Sequence, residues 1–309
     1  VKCSICNEKA IYAARYNGRH YCRFHFIEFV NDRVKKEVRR QHILDGGTVA
    51  VAVSGGKDSM TALHILSELA ATQRKTKIVA ITVDEGITGY RDKSLEIIEK
   101  YCAEHSLEWH VSRFSEYMGM TMDELAPIER PRTTCAYCGV MRRTLINRLA
   151  RKVSASRLAT GLNLDDTAQS ILMNISRGDI ERLHMMGPHE WVIEGLVPRV
   201  QPLRLIPENE VLLYATLRGI PFLRSSCPYS EEASRNLFRD IVLRLEEEMP
   251  GTRYALLKSA AAISRPRENV SAGRCILCDE VTSGIICRAC SLKREISEIY
   301  ERQNSLNSH

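Results

Sequence analysis

The 309 residues are 44% hydrophobic and 27% charged, with a formal net charge of +6, 17 Gly and 10 Pro. That is the balance of a folded chain of about two domain-sized units, and it excludes collagen-like and disordered classes. No run of about 18 uncharged apolar residues occurs, which excludes a transmembrane helix. The opening VKCSICNEKA has cysteines where a signal peptide needs an apolar core, so a cytoplasmic protein with no membrane partner is expected.

Eleven cysteines set the chain apart, eight of them in C-x-x-C pairs. In a reducing compartment this spacing points to metal or redox chemistry rather than disulfides. Cys3-x2-Cys6 and Cys22-x2-His25 open the chain. They offer three thiolates and one imidazole to a tetrahedral zinc, with His20 a less well-spaced substitute for His25. Phe26 to Leu44 reads as a helix, its apolar positions Phe26, Phe29, Val30, Val34 and Val38 interleaved with bases. Asp45-Gly46-Gly47 ends it.

A strand at 48–54, a helix from Asp58 to Ala70 and a strand at 77–84 follow. Next come a helix at about 91–106, a strand at 107–114, a strand at 156–162 and a helix at 163–178. Strands alternating with helices imply an α/β fold with a doubly wound parallel sheet. A helical stretch at about 232–263 closes the core, and RPRENVSAGR leads to Cys275-x2-Cys278-x8-Cys287-x2-Cys290. Those four thiolates suit a second zinc, and neither four-donor set leaves a coordination position open for catalysis. The expected units are a zinc module with a basic helix (1–44), an α/β catalytic domain (45–265) and a zinc ribbon (266–309). Cys102 falls in an amphipathic helix and reads as a core thiol. Cys135, Cys138 and Cys227 remain, an odd set of three.

Ser54-Gly55-Gly56-Lys57-Asp58-Ser59 follows the first strand of the α/β region and opens its first helix. Glycines there let successive N–H groups turn toward one anion, aided by the helix N-terminus. The spacing is neither that of a Walker A loop nor G-x-G-x-x-G. SGGKDS in this context is similar to the signature of PP-loop ATP pyrophosphatases, which cradle the β,γ-pyrophosphate of ATP and cleave next to the α-phosphate.

With SGGKDS, the segments CAYCGVMRR (135–143), GLNLDDTAQS (161–170) and SSCPYS (225–230), and the metal modules at both ends, the whole chain resembles the TtuA/NcsA tRNA 2-thiouridine synthetases, relatives of the cytosolic thiouridylase. The resemblance implies a PP-loop fold that adenylates the C2 oxygen of a tRNA uridine with ATP and Mg²⁺, after which sulfur displaces AMP. It implies a [4Fe-4S] cluster on Cys135, Cys138 and Cys227, one ligand short of the usual four, so that one iron can take an added sulfide. Nucleotide contacts are expected at Val53, Ser54, Gly55, Gly56, Lys57, Asp58, Ser59, Val83, Gly161 and Asp166. Asp58 is the candidate for Mg²⁺; with Asp166 and Arg142 it makes the expected catalytic set, and Arg142 acts as an electrostatic clamp because arginine does not deprotonate.

The resemblance further implies a homodimer and a sulfur donor that is either a ubiquitin-like carrier with a C-terminal thiocarboxylate or free sulfide, and it leaves positions 34 and 54 of tRNA both open. Two alternatives stand beside this reading. One is a same-fold thiolase that relays a cysteine persulfide without a cluster; the other is a non-catalytic tRNA-binding subunit. Two basic stretches are candidate RNA faces. Residues 1–44 carry ten Lys/Arg against four Asp/Glu, and Arg130 to Arg157 carry eight with no acid.

Overall fold

The computed structural model describes residues 1–73, 75–184, 186, 193–230, 235–263 and 273–306. The chain opens with a hairpin, β1 (Tyr12–Ala14) and β2 (Arg19–Tyr21), whose Cys22 starts helix α1 (Arg23–Arg40). The helix begins one turn before the expected Phe26 because the knuckle itself supplies its first residues. It ends before Leu44 because the Gln41 side chain turns away to donate to Glu37 and to the Gln201 carbonyl (2.7 and 3.0 Å).

Strand β3 (Gly47–Ala52), helix α2 (Lys57–Gln73), strand β4 (Thr76–Asp84), helix α3 (Arg91–Glu104) and strand β5 (Glu108–Arg113) match the expected succession. Two short helices, α4 (Phe114–Met118) and α5 (Met122–Leu125), lead to α6 (Thr134–Lys152). Helix α6 was not among the expected elements. Its apolar residues Tyr137, Met141, Leu145 and Leu149 recur every four positions and are buried. Then come β6 (Ala155–Thr160), α7 (Leu164–Ser176), α8 (Ile180–His184), β7 (Arg199–Val200) and α9 (Glu208–Arg218).

The expected helical stretch at 232–263 is two helices, α10 (Arg235–Glu248) and α11 (Thr252–Ile263). Met249-Pro250-Gly251 separates them, with Gly251 at φ +102°, a backbone state that ends a helix. Residues 232–234 lie outside the described residues, as do most of RPRENVSAGR and the expected boundary at 265. A ribbon, β8 (Gly273–Arg274) and β9 (Val281–Thr282), and helix α12 (Arg288–Leu306) complete the described chain.

The parallel sheet runs β5-β4-β3-β6-β7. Strand β3 is buried on both sides, with Val49, Ala50 and Val51 fully covered. One face packs on α1, α2, α3 and α9 through Val34, Leu63, Ile98 and Tyr214. The other packs on α6 and on the C-terminal module through Met141, Leu145, Cys287 and Leu292. Strand order reverses between β3 and β6, so a crevice opens beyond their carboxyl ends, where α/β sheets bind ligands.

Each terminal module is tied to one layer. Glu210 of α9, fully buried, accepts from Tyr12 (2.9 Å) and Tyr16 (2.6 Å) of the hairpin and pairs with Arg33 of α1. At the other end Glu280 pairs with Arg148 (2.8 Å) and Arg151 (3.5 Å), while Glu295 meets Tyr137 and Arg132. No helix among the described residues is long and apolar enough to cross a membrane.

Candidate active site

At the crevice, the loop after β3 closes on itself. The Ser54 N–H donates to Ser59 Oγ (3.0 Å), and Ser59 Oγ donates to the Gly56 carbonyl (3.0 Å). Gly55 stands at φ +80°, and a Cβ there would lie 2.6 Å from Ser94 Cβ, so both conformation and space demand glycine. Gly161, just past β6, packs directly on backbone: its Cβ would sit 2.7 Å from the Ser59 nitrogen. Glycine at both places lets the two loops of the switch point touch.

Asn163 then caps α7. It accepts from the Asp166 N–H (3.0 Å), its own N–H donates to Asp166 Oδ2 (3.2 Å), and its amide donates to Asp58 Oδ1 (3.0 Å). Asp58 and Asp166 are thereby brought to one place from the first turns of α2 and α7. Burial, opposed by Arg235 and reinforced by Asp58, lifts the Asp166 carboxyl to about 6. Lys57 is clamped between Asp58 (3.0 Å) and Glu208 (2.8 Å). Arg239 and Arg235 of α10 approach Glu208 and Asp166, both at 3.5 Å.

Val53 and Val83 contribute differently from the other expected nucleotide positions. Both side chains are buried in the two core layers, and the Val53 N–H and carbonyl are engaged by Ile81 (2.8 Å) and Thr82 (3.0 Å). They shape the floor of the crevice and offer it no side chain.

Helix α6 carries Cys135, Cys138 and Arg142 at intervals of three and four, hence on one face. Thr133 caps it by accepting from the Ala136 N–H (3.3 Å). The Cys135 thiol donates to the Tyr229 carbonyl (3.2 Å), two residues past Cys227. The segment bearing Cys227 is itself joined to the nucleotide loop, because the Leu223 N–H donates to the Gly55 carbonyl (2.9 Å). Burial raises the Cys138 thiol to about 12; Arg142 opposes that shift, while Cys227 and Cys135 add to it.

At the chain ends, the donor atoms of Cys3, Cys6, Cys22 and His25 lie within 4.8 Å of one another, as do those of Cys275, Cys278, Cys287 and Cys290. His25, not His20, joins the first set, its Nδ1 3.3 Å from the Cys22 sulfur. Sulfur separations of 3.8 Å (Cys6–Cys22) and 3.6 Å (Cys278–Cys287) fit one tetrahedral ion, since a metal–sulfur bond of about 2.3 Å puts thiolates about 3.8 Å apart. The backbone N–H of Cys287 points at the Cys275 sulfur (3.2 Å) and, with those of Leu277 and Cys278, draws its thiol down to about 6.

Comparison with known proteins agrees with this geometry. The PP-loop domain family matches residues 26–246, and the N-terminal LIM domain of 2-thiouridine synthetase TtuA matches residues 2–27. The tRNA 2-thiolation protein NcsA of Haloferax volcanii is 34% identical over 97% of this chain and 100% of its own. The tRNA-5-methyluridine(54) 2-sulfurtransferase of Thermus thermophilus is 33% identical over 94% and 90%. The solved U34-tRNA thiolase NcsA from Methanococcus maripaludis, with its [4Fe-4S] cluster, superposes with a TM-score of 0.84 at 33% identity, covering 95% of both chains.

The chain belongs to the PP-loop tRNA-thiolation family.

In this family member the central cysteines are arranged unlike the terminal sets. Cys138 and Cys227 pack in one cluster with Tyr90 and Tyr229, and Cys138 lies within electrostatic reach of both Cys227 and Cys135; among the described residues the three do not form a group as tight as the terminal sets. Four further contributors, Asn163, Glu208, Arg235 and Arg239, escaped the sequence reading. Only Asn163 had a visible signal, an amide three residues before Asp166 in a capping-box pattern.

The basic run 130–157 is less open than its composition suggests. Arg130 bonds the carbonyls of Leu125, Ala126 and Ile128, Arg132 pairs with Glu295, and Arg148 and Arg151 share Glu280. Among the described residues Arg143 has no carboxylate partner, and it faces Arg199, Arg142 and Arg182.

Proposed function

We propose that this chain is an ATP-dependent tRNA sulfurtransferase that converts a uridine to 2-thiouridine. The observation carrying the proposal is the convergence, on one crevice, of the nucleotide loop, Asp58 and Asp166 at the switch point, and Arg142 with the three cysteines on its rim. The β,γ-pyrophosphate of ATP is cradled by the N–H groups of the Ser54–Ser59 loop, and Asp58 would hold Mg²⁺, which would offset the phosphate charge.

The uridine O2 attacks the α-phosphorus, the bond to the β-phosphate bridging oxygen breaks, and pyrophosphate leaves. Asp166, with a carboxyl held near 6, accepts the N3 proton that makes O2 a nucleophile. Arg142, fixed in its charge, faces the phosphate of the adenylate. Sulfide then adds to C2 and AMP departs, so uridine, ATP and hydrosulfide become 2-thiouridine, AMP and pyrophosphate without net oxidation. Cys135, Cys138 and Cys227 would hold a [4Fe-4S] cluster, one ligand short of four, whose open iron would supply a binding site for sulfide.

The terminal sets would hold zinc in a structural capacity, and Arg143 and Arg199 meet the RNA backbone. The protein works as a cytoplasmic homodimer, with its sulfur drawn from a thiocarboxylated ubiquitin-like carrier or from sulfide. Anaerobically reconstituted protein, given tRNA, ATP, Mg²⁺ and sulfide, should yield 2-thiouridine by nucleoside mass spectrometry, and fragment mapping should place it at 34 or 54. Product formed equally well by iron-free protein would support the persulfide relay instead. Absence of tRNA-dependent AMP would support the non-catalytic subunit.

A further inference from the structure

Two buried, oppositely charged side chains lie between the nucleotide loop and the cysteine-bearing helix, and the steps described above use neither. Glu85 follows the carboxyl end of β4 and Arg91 opens α3; their side chains are 1% and 3% exposed and pair at 2.5 Å. Arg91 Nη1 donates to the Ser54 carbonyl (2.9 Å) and to Ser94 Oγ (3.0 Å). Ser94 is the residue against which Gly55 packs. On its other side Glu85 meets Arg142 (3.5 Å), one helical turn from Cys138. Tyr90 stands over the same cluster, within electrostatic reach of Arg91, Cys227, Glu85 and Arg142.

A buried ion pair is costly to desolvate and is a poor source of net stability. Its value here is geometric: one carboxylate fixes two guanidiniums, each holding a different half of the site.

We infer that Glu85 and Arg91 are positioning residues that couple the seating of the nucleotide loop to the placement of Arg142 beside Cys138. The inference rests on the proposed function. The bridge runs from the Ser54 carbonyl through Arg91 and Glu85 to Arg142, in series. A shift of the loop on nucleotide binding therefore moves Arg142, and a change at Arg142 is felt in the loop, as linkage between sites requires.

The test uses the cluster-loaded protein with ATP, tRNA and sulfide, and follows two readouts in the wild type, Arg91→Lys, Arg142→Lys, the double variant and Glu85→Gln. The first readout is the split between the KM for ATP and kcat. Residues acting in series are non-additive, so each single variant should lose about tenfold in kcat/KM for ATP and the double variant little more. The second is the electron paramagnetic resonance spectrum of the reduced cluster, which should change on adding ATP to the wild type and stay unchanged in Glu85→Gln.

Arg142 is 47% exposed, so Arg142→Lys leaves the core intact and should also lose the ATP response, even if Glu85→Gln does not fold. Additive losses, or an ATP-responsive spectrum in Glu85→Gln or Arg142→Lys, would overturn the bridge. A wild type that makes no 2-thiouridine would instead overturn the proposed function, which keeps the two failures apart.

Discussion

Single residues carry the steepest expectations. Asp166 has its carboxyl raised from 3.8 to about 6, chiefly by burial. A group that binds its proton more tightly when folded contributes stability below pH 4 and loses it as pH rises through about 6. Asp166→Asn should therefore match the wild type in stability near pH 4 and exceed it at pH 8. The gain is about 1 kcal/mol once screening of a 28% exposed side chain is allowed for. The same variant should lose sulfur transfer at all pH values, while wild-type activity climbs through about pH 6 as the carboxylate forms. Thermal unfolding and initial rates across pH 5–8 check both arms.

Gly161→Ala tests the contact between loops. Its new Cβ would meet Ser59 and Asp58 backbone atoms at 2.7 and 2.8 Å, which cannot swing aside as a side chain would. The KM for ATP should rise by tenfold or more, with about 1–3 kcal/mol of stability lost to overpacking. These residues were legible in the sequence because their chemistry is local: glycines and acids at strand-to-helix turns. Glu208 and Arg235 were not, because they reach Lys57 and Asp166 from segments 151 and 69 residues away, and pairings of that kind exist only once the chain has folded.

At the scale of elements, the alternation of strands and helices from β3 to α7 was readable from hydrophobic period and glycine punctuation. Helix α6 is harder to read because its first two turns carry the C-x-x-C pair and the helix-weakening Gly139, although Tyr137, Met141, Leu145 and Leu149 mark its buried side. Strand β7 is two residues long, too short for any periodicity.

The N-terminal hairpin reaches the core through one carboxylate. Glu210→Gln removes the counterion of buried Arg33 and weakens two tyrosine hydrogen bonds, which should cost about 3–5 kcal/mol. Chemical denaturation should show that loss; a change below about 1 kcal/mol would mean that the hairpin docks by apolar contact alone. Charge on α6 makes a separate prediction. Arg143→Glu should weaken tRNA binding about tenfold and reduce the salt dependence of log K by about 1–2. Arg151→Glu, whose guanidinium already has Glu280, should do less to the salt dependence and more to stability.

For the whole molecule, the two terminal modules have different tasks in one scaffold. The N-terminal set steadies α1 and α9, and α9 begins at Glu208, the partner of Lys57. The C-terminal set buttresses α6, the helix of Cys135, Cys138 and Arg142. Cys287→Ala should release one equivalent of zinc by elemental analysis and lower the unfolding midpoint, because Leu292 and Ile296 then lose their seat against α6. Composition foretold both modules. It did not foretell that each braces a different half of the catalytic crevice, since that depends on which sheet face each one covers.

The central claim is that the nucleotide crevice and the cysteine trio form one site for two consecutive steps. An anaerobic single-turnover assay on cluster-loaded protein, counting AMP and 2-thiouridine against the same tRNA, tests it most directly. The account predicts one AMP for each 2-thiouridine in the wild type. In Cys227→Ser it predicts that 2-thiouridine is lost while tRNA-dependent pyrophosphate release persists. Thiolation that proceeds without ATP, or a Cys227→Ser protein that still makes 2-thiouridine at the wild-type rate, would contradict it.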